Sequence, residues 1–123
     1  MNTMTLTIER SEPLEQAEWA NVCKLEDLTP DTGLCALVNQ QQIAIFYSRR
    51  LDELFAIGNH DPIGNANVLS RGIIGSIGDA VVVASPLYKQ HFNLRTGECL
   101  ESPEHQVPVY PIQIIDGQVQ VKA

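Results

Sequence analysis

The sequence has 123 residues and a formal net charge of −7, from 8 Lys plus Arg against 15 Asp plus Glu. Its 44% of hydrophobic and 19% of charged residues are typical of one ordinary globular domain, not of a disordered, collagenous or coiled-coil chain. Because excess negative charge repels phosphate backbones and anionic lipids, we expect neither nucleic acid nor a membrane as a partner.

The compartment is indicated by three further features. The longest aliphatic run, residues 80–84, is far shorter than the roughly 18 residues of a membrane span. The opening residues, MNTMTLTIERSEP, lack the basic and apolar regions of a secretion signal. Cys23, Cys35 and Cys99 are odd in number and widely spaced, which disfavours a disulfide framework or a zinc site. We therefore expect a cytoplasmic protein.

Taken in chain order, the sequence begins with an acidic segment. Seven of the fifteen acids lie in the first 31 residues, where we expect a solvated face and a mobile start. A helix-like spacing occurs only at residues 12–22. From Trp19 onward the pattern becomes short and β-like, so we predict an N-terminal extension, residues 1–18, and a single domain, residues 19–123.

Short β-type segments follow one another along the domain. Residues 34–38 and 43–47 are expected to form a hairpin through Asn39 and the three glutamines, and Asp116-Gly117 is a strong hairpin signal near the end. This spacing predicts a small all-β sandwich or barrel. The predicted strands are residues 19–25, 34–38, 43–47, 54–57, 80–84, 109–115 and 118–122.

Residues 58–79 differ from the rest because they hold five of the eight glycines and show no clear strand. A connection of about 20 residues within a compact domain is normally functional or disordered. The glycine-rich residues 72–78 lack the lysine and the strand-to-helix context of a phosphate-binding loop. The adjacent acids Asp52 and Glu53 would point to opposite faces of a strand. We predict no catalytic and no cofactor-binding residue in this chain.

Two motifs resemble the cluster-binding loops of Rieske domains, in which one loop supplies Cys-x-His and the other Cys-x-x-His. Residues 59–63 (NHDPI) resemble the first loop and residues 85–88 (SPLY) the second. The segments 69–72 (LSRG) and 92–99 (FNLRTGEC) resemble the stretches that follow each loop. The resemblance implies a Rieske-like fold, with a small β-sandwich or barrel and a loop subdomain like the one that binds the cluster.

The four cluster ligands are replaced in this sequence. Asp61 and Ser85 occupy the cysteine positions, and Ile63 and Tyr88 occupy the histidine positions. Ile63 has no donor atom, and the other three side chains offer hard oxygen donors that suit a [2Fe–2S] core poorly. We therefore expect a Rieske-like scaffold that binds no cluster and no metal.

Longer blocks are similar to one particular family. Residues 67–75 (NVLSRGIIG) and 84–90 (ASPLYKQ), with shorter matches between residues 19 and 46, resemble the small subunit of bacterial NAD(P)H-dependent assimilatory nitrite reductase. The resemblance implies a large subunit as partner, carrying FAD, an iron–sulfur cluster and sirohaem and binding NAD(P)H. That complex reduces nitrite to ammonium in nitrate assimilation, while the small subunit alone is not catalytic.

The same resemblance suggests an interface with the large subunit, because the two loops of a Rieske domain face its electron partner. Ile73 and Ile74 would form an apolar contact, with Arg71 and Lys89 as charges at its rim. Alternatively, the two isoleucines cap the domain's own core, and Ile63, Leu87 and Tyr88 fill the space that a cluster would occupy. The predicted interface residues are Leu69, Arg71, Ile73, Ile74, Leu87 and Lys89.

Two other functions remain open on the sequence alone. The chain could be an electron-transferring ferredoxin with unusual ligands drawn from His60, Asp61, Ser85 and Cys99. It could also be an adaptor module of a different oxidoreductase, because one fold supports many functions.

Overall fold

The computed structural model describes residues 18–123, which form eleven strands and two short 3₁₀ helices, Leu25–Asp27 and Leu69–Arg71. Within these residues no helix is long and apolar enough to span a membrane. The strands are β1 Trp19–Lys24, β2 Gly33–Val38, β3 Gln41–Ser48, β4 Glu53–Gly58, β5 His60–Asp61, β6 Ala66–Asn67, β7 Ile73–Ile77, β8 Ala80–Ala84, β9 His91–Asn93, β10 Ile112–Ile115 and β11 Gln118–Lys122.

The strands form three antiparallel three-stranded sheets and one two-stranded ribbon. The outer sheet has the order β1-β11-β10, the middle sheet β2-β3-β4, and the distal sheet β7-β8-β9, while β5 pairs with β6. All are open sheets in the part of the chain that the structure describes. The predicted all-β architecture is confirmed.

The strands β3 and β4 of the middle sheet are buried on both faces because their side chains alternate between two cores. Ala44 and Phe46 of β3 point into a first core, which the middle sheet shares with the distal sheet. Ile43 and Ile45 point the other way, into a second core shared with the outer sheet. The apolar run of β3 is therefore explained by burial on two sides, as sequence periodicity requires for a strand between two layers.

The structure changes several predicted boundaries. The first hairpin turns at Asn39 and Gln40, whose φ values of 51° and 66° suit a two-residue turn, so Gln41 already belongs to β3. Residues 109–111 were wrongly included in a strand. Val109 forms one isolated bridge with Ile57, and Pro111 has no N–H to donate to a ladder.

Four strands were missed, and part of two predicted segments lies outside the described residues. β5, β6 and β7 lie within the glycine-rich residues 58–79, where strand pairing supplies the order that the local sequence does not indicate, and β9 follows the second loop motif. Residues 12–17 of the helix-like window and residues 1–17 of the extension lie outside the described residues. Residues 19–22 of that window belong to β1, so they are not helical.

Close backbone contacts bring the loop region against the sheets. A Cβ on Gly33 of β2 would lie 2.2 Å from the backbone oxygen of Ser70 in the second 3₁₀ helix. A Cβ on Gly72 would lie 2.3 Å from the backbone oxygen of Ala84. Glycine at these two positions therefore allows the segment around Arg71 to lie against both the middle and the distal sheet.

We expect Gly33→Ala to lower the free energy of unfolding by about 2 to 3 kcal/mol, because the added methyl group overlaps backbone that cannot move aside cheaply. Urea denaturation with an unchanged slope would measure this. Gly75→Ala is the matched control, since a Cβ there meets no heavy atom within 4 Å. Equal effects of the two substitutions would contradict the explanation.

Candidate functional site

The candidate site is the pair of loops that resemble the cluster-binding loops. The first loop, residues 61–65, connects β5 to β6 and is closed by the Asn65 N–H donating to the Asp61 backbone oxygen at 2.7 Å. The second loop, residues 85–90, connects β8 to β9. It is closed by the Lys89 N–H donating to the Ser85 backbone oxygen at 3.0 Å. Asn65 and Lys89 both have positive φ, which allows these tight turns.

One buried hydrogen bond joins the two loops. The Ser85 hydroxyl donates to Asp61 Oδ2 at 2.5 Å, and both residues are fully buried. Asp61 Oδ1 accepts the backbone N–H groups of Ile63 at 2.8 Å and Gly64 at 3.0 Å. Ser85 Oγ in turn accepts the Leu87 N–H at 3.3 Å. The two former cysteine positions thus form one hydrogen-bonded pair that orders both loops.

The carboxylate of Asp61 is held in its charged form. Burial raises the pKa of Asp61, but the hydrogen bonds from Ser85, Gly64 and Ile63 together outweigh it, so the pKa lies below its usual value. A charged side chain without access to water is expensive unless it is hydrogen-bonded. Here three donors supply that compensation.

The four ligand positions do not fit a [2Fe–2S] cluster. Asp61 and Ser85 are bonded to each other, and Ile63 has no donor atom and packs against the first core. Tyr88 is 66% exposed. The described residues contain no group of three or more His, Cys, Asp or Glu side chains placed to hold a metal ion.

Of the four residues proposed for an unusual metal site, Asp61 and Ser85 contact each other, whereas His60 and Cys99 make other contacts. His60 is exposed, and its Nδ1 lies 3.0 Å from Asn67 Oδ1. Cys99 is buried in the first core, with its Sγ 3.7 Å from Glu101 Oε1. Burial raises the pKa of the Cys99 thiol, which disfavours the thiolate that a metal would need.

Part of the expected filling of the cluster space is wrong. Tyr88 points outward, and Leu87 is 44% exposed, so neither occupies the interior as a core residue would. Leu87 instead covers Gly64, where a Cβ would lie 2.5 Å from Leu87 Cδ1. Ile63 alone of the three packs inward, beside the Asp61–Ser85 pair. The space between the two loops, which a cluster would occupy, is thus held together by hydrogen bonds more than by apolar packing.

Some of the predicted interface residues are buried or partly buried, and the others are exposed. Leu69 is fully buried in the first core, so it cannot contact a partner, and its inclusion was wrong. Ile74 is partly buried against the same core. Ile73 is 75% exposed and pairs with Ala84, next to the second loop. We define the tip surface as the exposed residues Arg71, Ile73, Leu87, Tyr88 and Lys89.

Asn59 is a site residue that sequence reasoning missed. It is buried, and its Nδ2 donates to Gln42 Oε1 at 3.0 Å while its Oδ1 accepts the Ser70 N–H at 2.7 Å. Asn59 therefore ties the beginning of the first loop to β3 and to the 3₁₀ helix that carries Arg71. The signal available in the sequence was its position at the start of the NHDPI motif, because an amide side chain can satisfy several backbone and side-chain partners at once.

Glu101 holds the other end of the second loop. Its Oε1 accepts the His91 N–H at 2.8 Å, and its Oε2 lies 2.6 Å from His91 Nδ1. Burial raises the pKa of Glu101, but the backbone and ring contacts of His91 lower it by more, so the pKa lies below its usual value. Carboxylates thus hold the second loop at both of its ends.

Comparison with known proteins gives several close similarities. Residues 18–122 match the family described as the Rieske-like [2Fe-2S] domain. The chain is 44% identical over 106 residues to the nitrite reductase (NADH) small subunit of Salmonella typhimurium, covering 86% of this chain and 98% of that one. The NMR structure of the E. coli protein NirD is 42% identical, with a TM-score of 0.81, covering 88% of this chain and 98% of that one.

A further similarity is to part of a much longer protein. The nitrite reductase NAD(P)H large subunit of Klebsiella oxytoca is 37% identical over 108 residues, which cover 88% of this chain and 11% of that protein. A domain like this chain is thus built into that large subunit.

We expect the stability advantage of the wild type over Asp61→Asn to shrink on acidification. Because the folded pKa of Asp61 is depressed, its contribution is present above the ordinary value of 3.8 and is lost as the pH falls through the folded pKa. At neutral pH we expect a difference of about 1 to 3 kcal/mol, typical of a hydrogen bond to a charged group. Urea unfolding of both proteins between about pH 7 and pH 3 measures this, and a constant difference would contradict it.

Proposed function

The chain belongs to the Rieske-like [2Fe–2S] domain family, among the small subunits of nitrite reductase, and from this membership we infer that it works in complex with a nitrite reductase large subunit. The family predicted from residues 67–75 and 84–90 is confirmed. The function is that of an oxidoreductase subunit, and the reaction belongs to the assembled complex.

The observation that carries the proposal is the end-to-end similarity to small subunits, together with the related domain inside a large subunit. Alignment over 98% of the Salmonella typhimurium small subunit supports the same role for the whole domain. The Klebsiella oxytoca large subunit has a similar domain within its own chain. A covalent connection raises the effective concentration of two modules that need each other, so its existence supports a direct contact between the separate chains.

The electron-carrying groups are assigned to the large subunit. The donor set of this chain fits no [2Fe–2S] cluster, because its former ligand positions are bonded to each other or exposed. FAD, an iron–sulfur cluster, sirohaem and the NAD(P)H site would therefore all lie in the partner, which reduces nitrite to ammonium for nitrate assimilation. The free thiols of Cys23, Cys35 and Cys99 accord with a reducing, cytoplasmic location for this chemistry.

The contact with the large subunit is assigned to the tip surface. Its centre is apolar, with Ile73, Leu87 and Tyr88 all substantially exposed. Arg71 and Lys89 lie at its rim, in a chain whose net charge is −7. Exposed apolar side chains within a polar rim are typical of a protein interface. This surface would bind the large subunit and orient it, without supplying a catalytic group.

We expect the tagged chain to copurify with a large flavin- and sirohaem-containing protein, and the complex to reduce nitrite with NADH or NADPH. The measurement is a visible spectrum and an ammonium assay on the purified complex. A partner that lacks sirohaem would overturn the nitrite assignment and favour an adaptor of another oxidoreductase. Iron and acid-labile sulfide in the isolated chain should both be absent, and about two of each per chain would mean that it carries electrons itself.

We expect Ile73→Asp to weaken binding to the large subunit by at least about tenfold, because it puts a charge at the centre of the contact. Ile115→Asp on β10 is the matched control, since Ile115 is 48% exposed but lies in the outer sheet. Titration of the large subunit with each variant, followed by activity or calorimetry, measures the difference. Equal affinities would move the interface away from the tip surface.

A further inference from the structure

We propose that Asp61 and Ser85 are positioning residues whose hydrogen bond fixes the two loops relative to each other and so presents the tip surface to the large subunit. The proposal rests on the proposed function for the identity of the partner. It assigns to a hydrogen bond the structural role that a metal cluster has in relatives that bind one, namely to join two loops from different parts of the fold.

The two loops need such a connection because no strand pairing joins them in the described structure. The first loop lies in the β5–β6 ribbon, and the second lies between β8 and β9 of the distal sheet. Among the described residues, the Ser85–Asp61 bond is the only hydrogen bond between the two loops, and Leu87 also packs over Gly64. Without it, no hydrogen bond would join the loops.

The hydrogen bonds of Asp61 and Ser85 favour the observed arrangement of the loops. Asp61 accepts from its own loop through Oδ1 and from Ser85 through Oδ2, while Ser85 Oγ accepts the Leu87 N–H. Both side chains are fully buried. Shifting either loop would leave Asp61 Oδ2 without its Ser85 donor, and leaving a buried acceptor unsatisfied costs more than the hydrogen bond itself contributes.

This arrangement determines where the exposed side chains lie. The backbone of Leu87 is held through Ser85, and Tyr88 and Lys89 follow it directly in the same loop. Ile73 is placed beside them by its pairing with Ala84. A surface whose side chains are already ordered loses less conformational entropy on association, so fixing the loops raises the affinity for a partner.

The first test measures the loops in the full chain without the partner. In Ser85→Ala we expect amide hydrogen exchange at Ile63, Gly64 and Leu87 to accelerate by at least about tenfold, while amides of β3 keep their protection. Ser76→Ala is the control, since Ser76 is exposed on β7 and takes no part in the pair. Unchanged exchange in the loops would overturn the proposal. If Ser85→Ala does not fold, Asp61→Asn, which keeps the side-chain volume, takes its place.

The second test measures the complex. We expect Ser85→Ala to raise the concentration of small subunit needed for half-maximal nitrite reduction by about three- to tenfold, with the same maximal rate at saturation. A lower maximal rate with unchanged half-saturation would overturn a positioning role. Faster loop exchange without any change in affinity would also overturn it. If the wild type does not bind the large subunit, the proposed function fails, and the presentation of the tip surface to that partner fails with it.

Discussion

Burial of β3 and β4 of the middle sheet on both faces is the constraint on which the rest of the structure depends. Alternate side chains of β3 and β4 are buried on opposite faces of the sheet. Burial stabilises the fold by roughly 25 cal/mol per Å² of apolar surface, so one sheet stabilises two cores. The outer sheet covers one face and the distal sheet covers the other. Because β4 leads directly into Asn59, and Asn59 is bonded to Gln42 of β3, this sheet also determines where the first loop begins. The position of the candidate site is therefore determined by the packing of the middle sheet.

The parts of the fold that the sequence predicts are those in which the local pattern of apolar residues indicates burial. Residues 80–84 are apolar at every position, and β8 has those bounds. β7 could not be found in this way, because Gly75 and the exposed residues give no local pattern and its conformation depends on pairing with β8. The turn at Asn39 and Gln40 was likewise hidden, since a glutamine with positive φ is unusual. In both cases the pairing of consecutive strands in a hairpin decided the conformation.

The candidate site was predictable in its position and donor chemistry but not in its side-chain directions. The resemblance of residues 59–63 and 85–88 to the cluster-binding loops of Rieske domains was enough to locate the two loops and to show that soft ligands are missing. It could not show that Asp61 and Ser85 form a hydrogen bond with each other, because that depends on how two separate hairpins pack together. Nor could it show that Leu69 points into the core while Tyr88 points away from it. Side-chain direction depends on the local turn of the backbone, which the resemblance does not specify.

The pairing of β1 with β11 has a consequence for how the chain folds. Trp19 lies opposite Lys122, so the outer sheet joins segments that are separated by nearly the whole described sequence. Closing so long a loop costs chain entropy before any contact repays it, and such non-local topologies fold slowly. The middle sheet, made of consecutive strands, has only short loops to close. We therefore expect the second core to be completed late in folding, so that the face of the middle sheet that carries Ile43 and Ile45 is exposed to association with other chains until then.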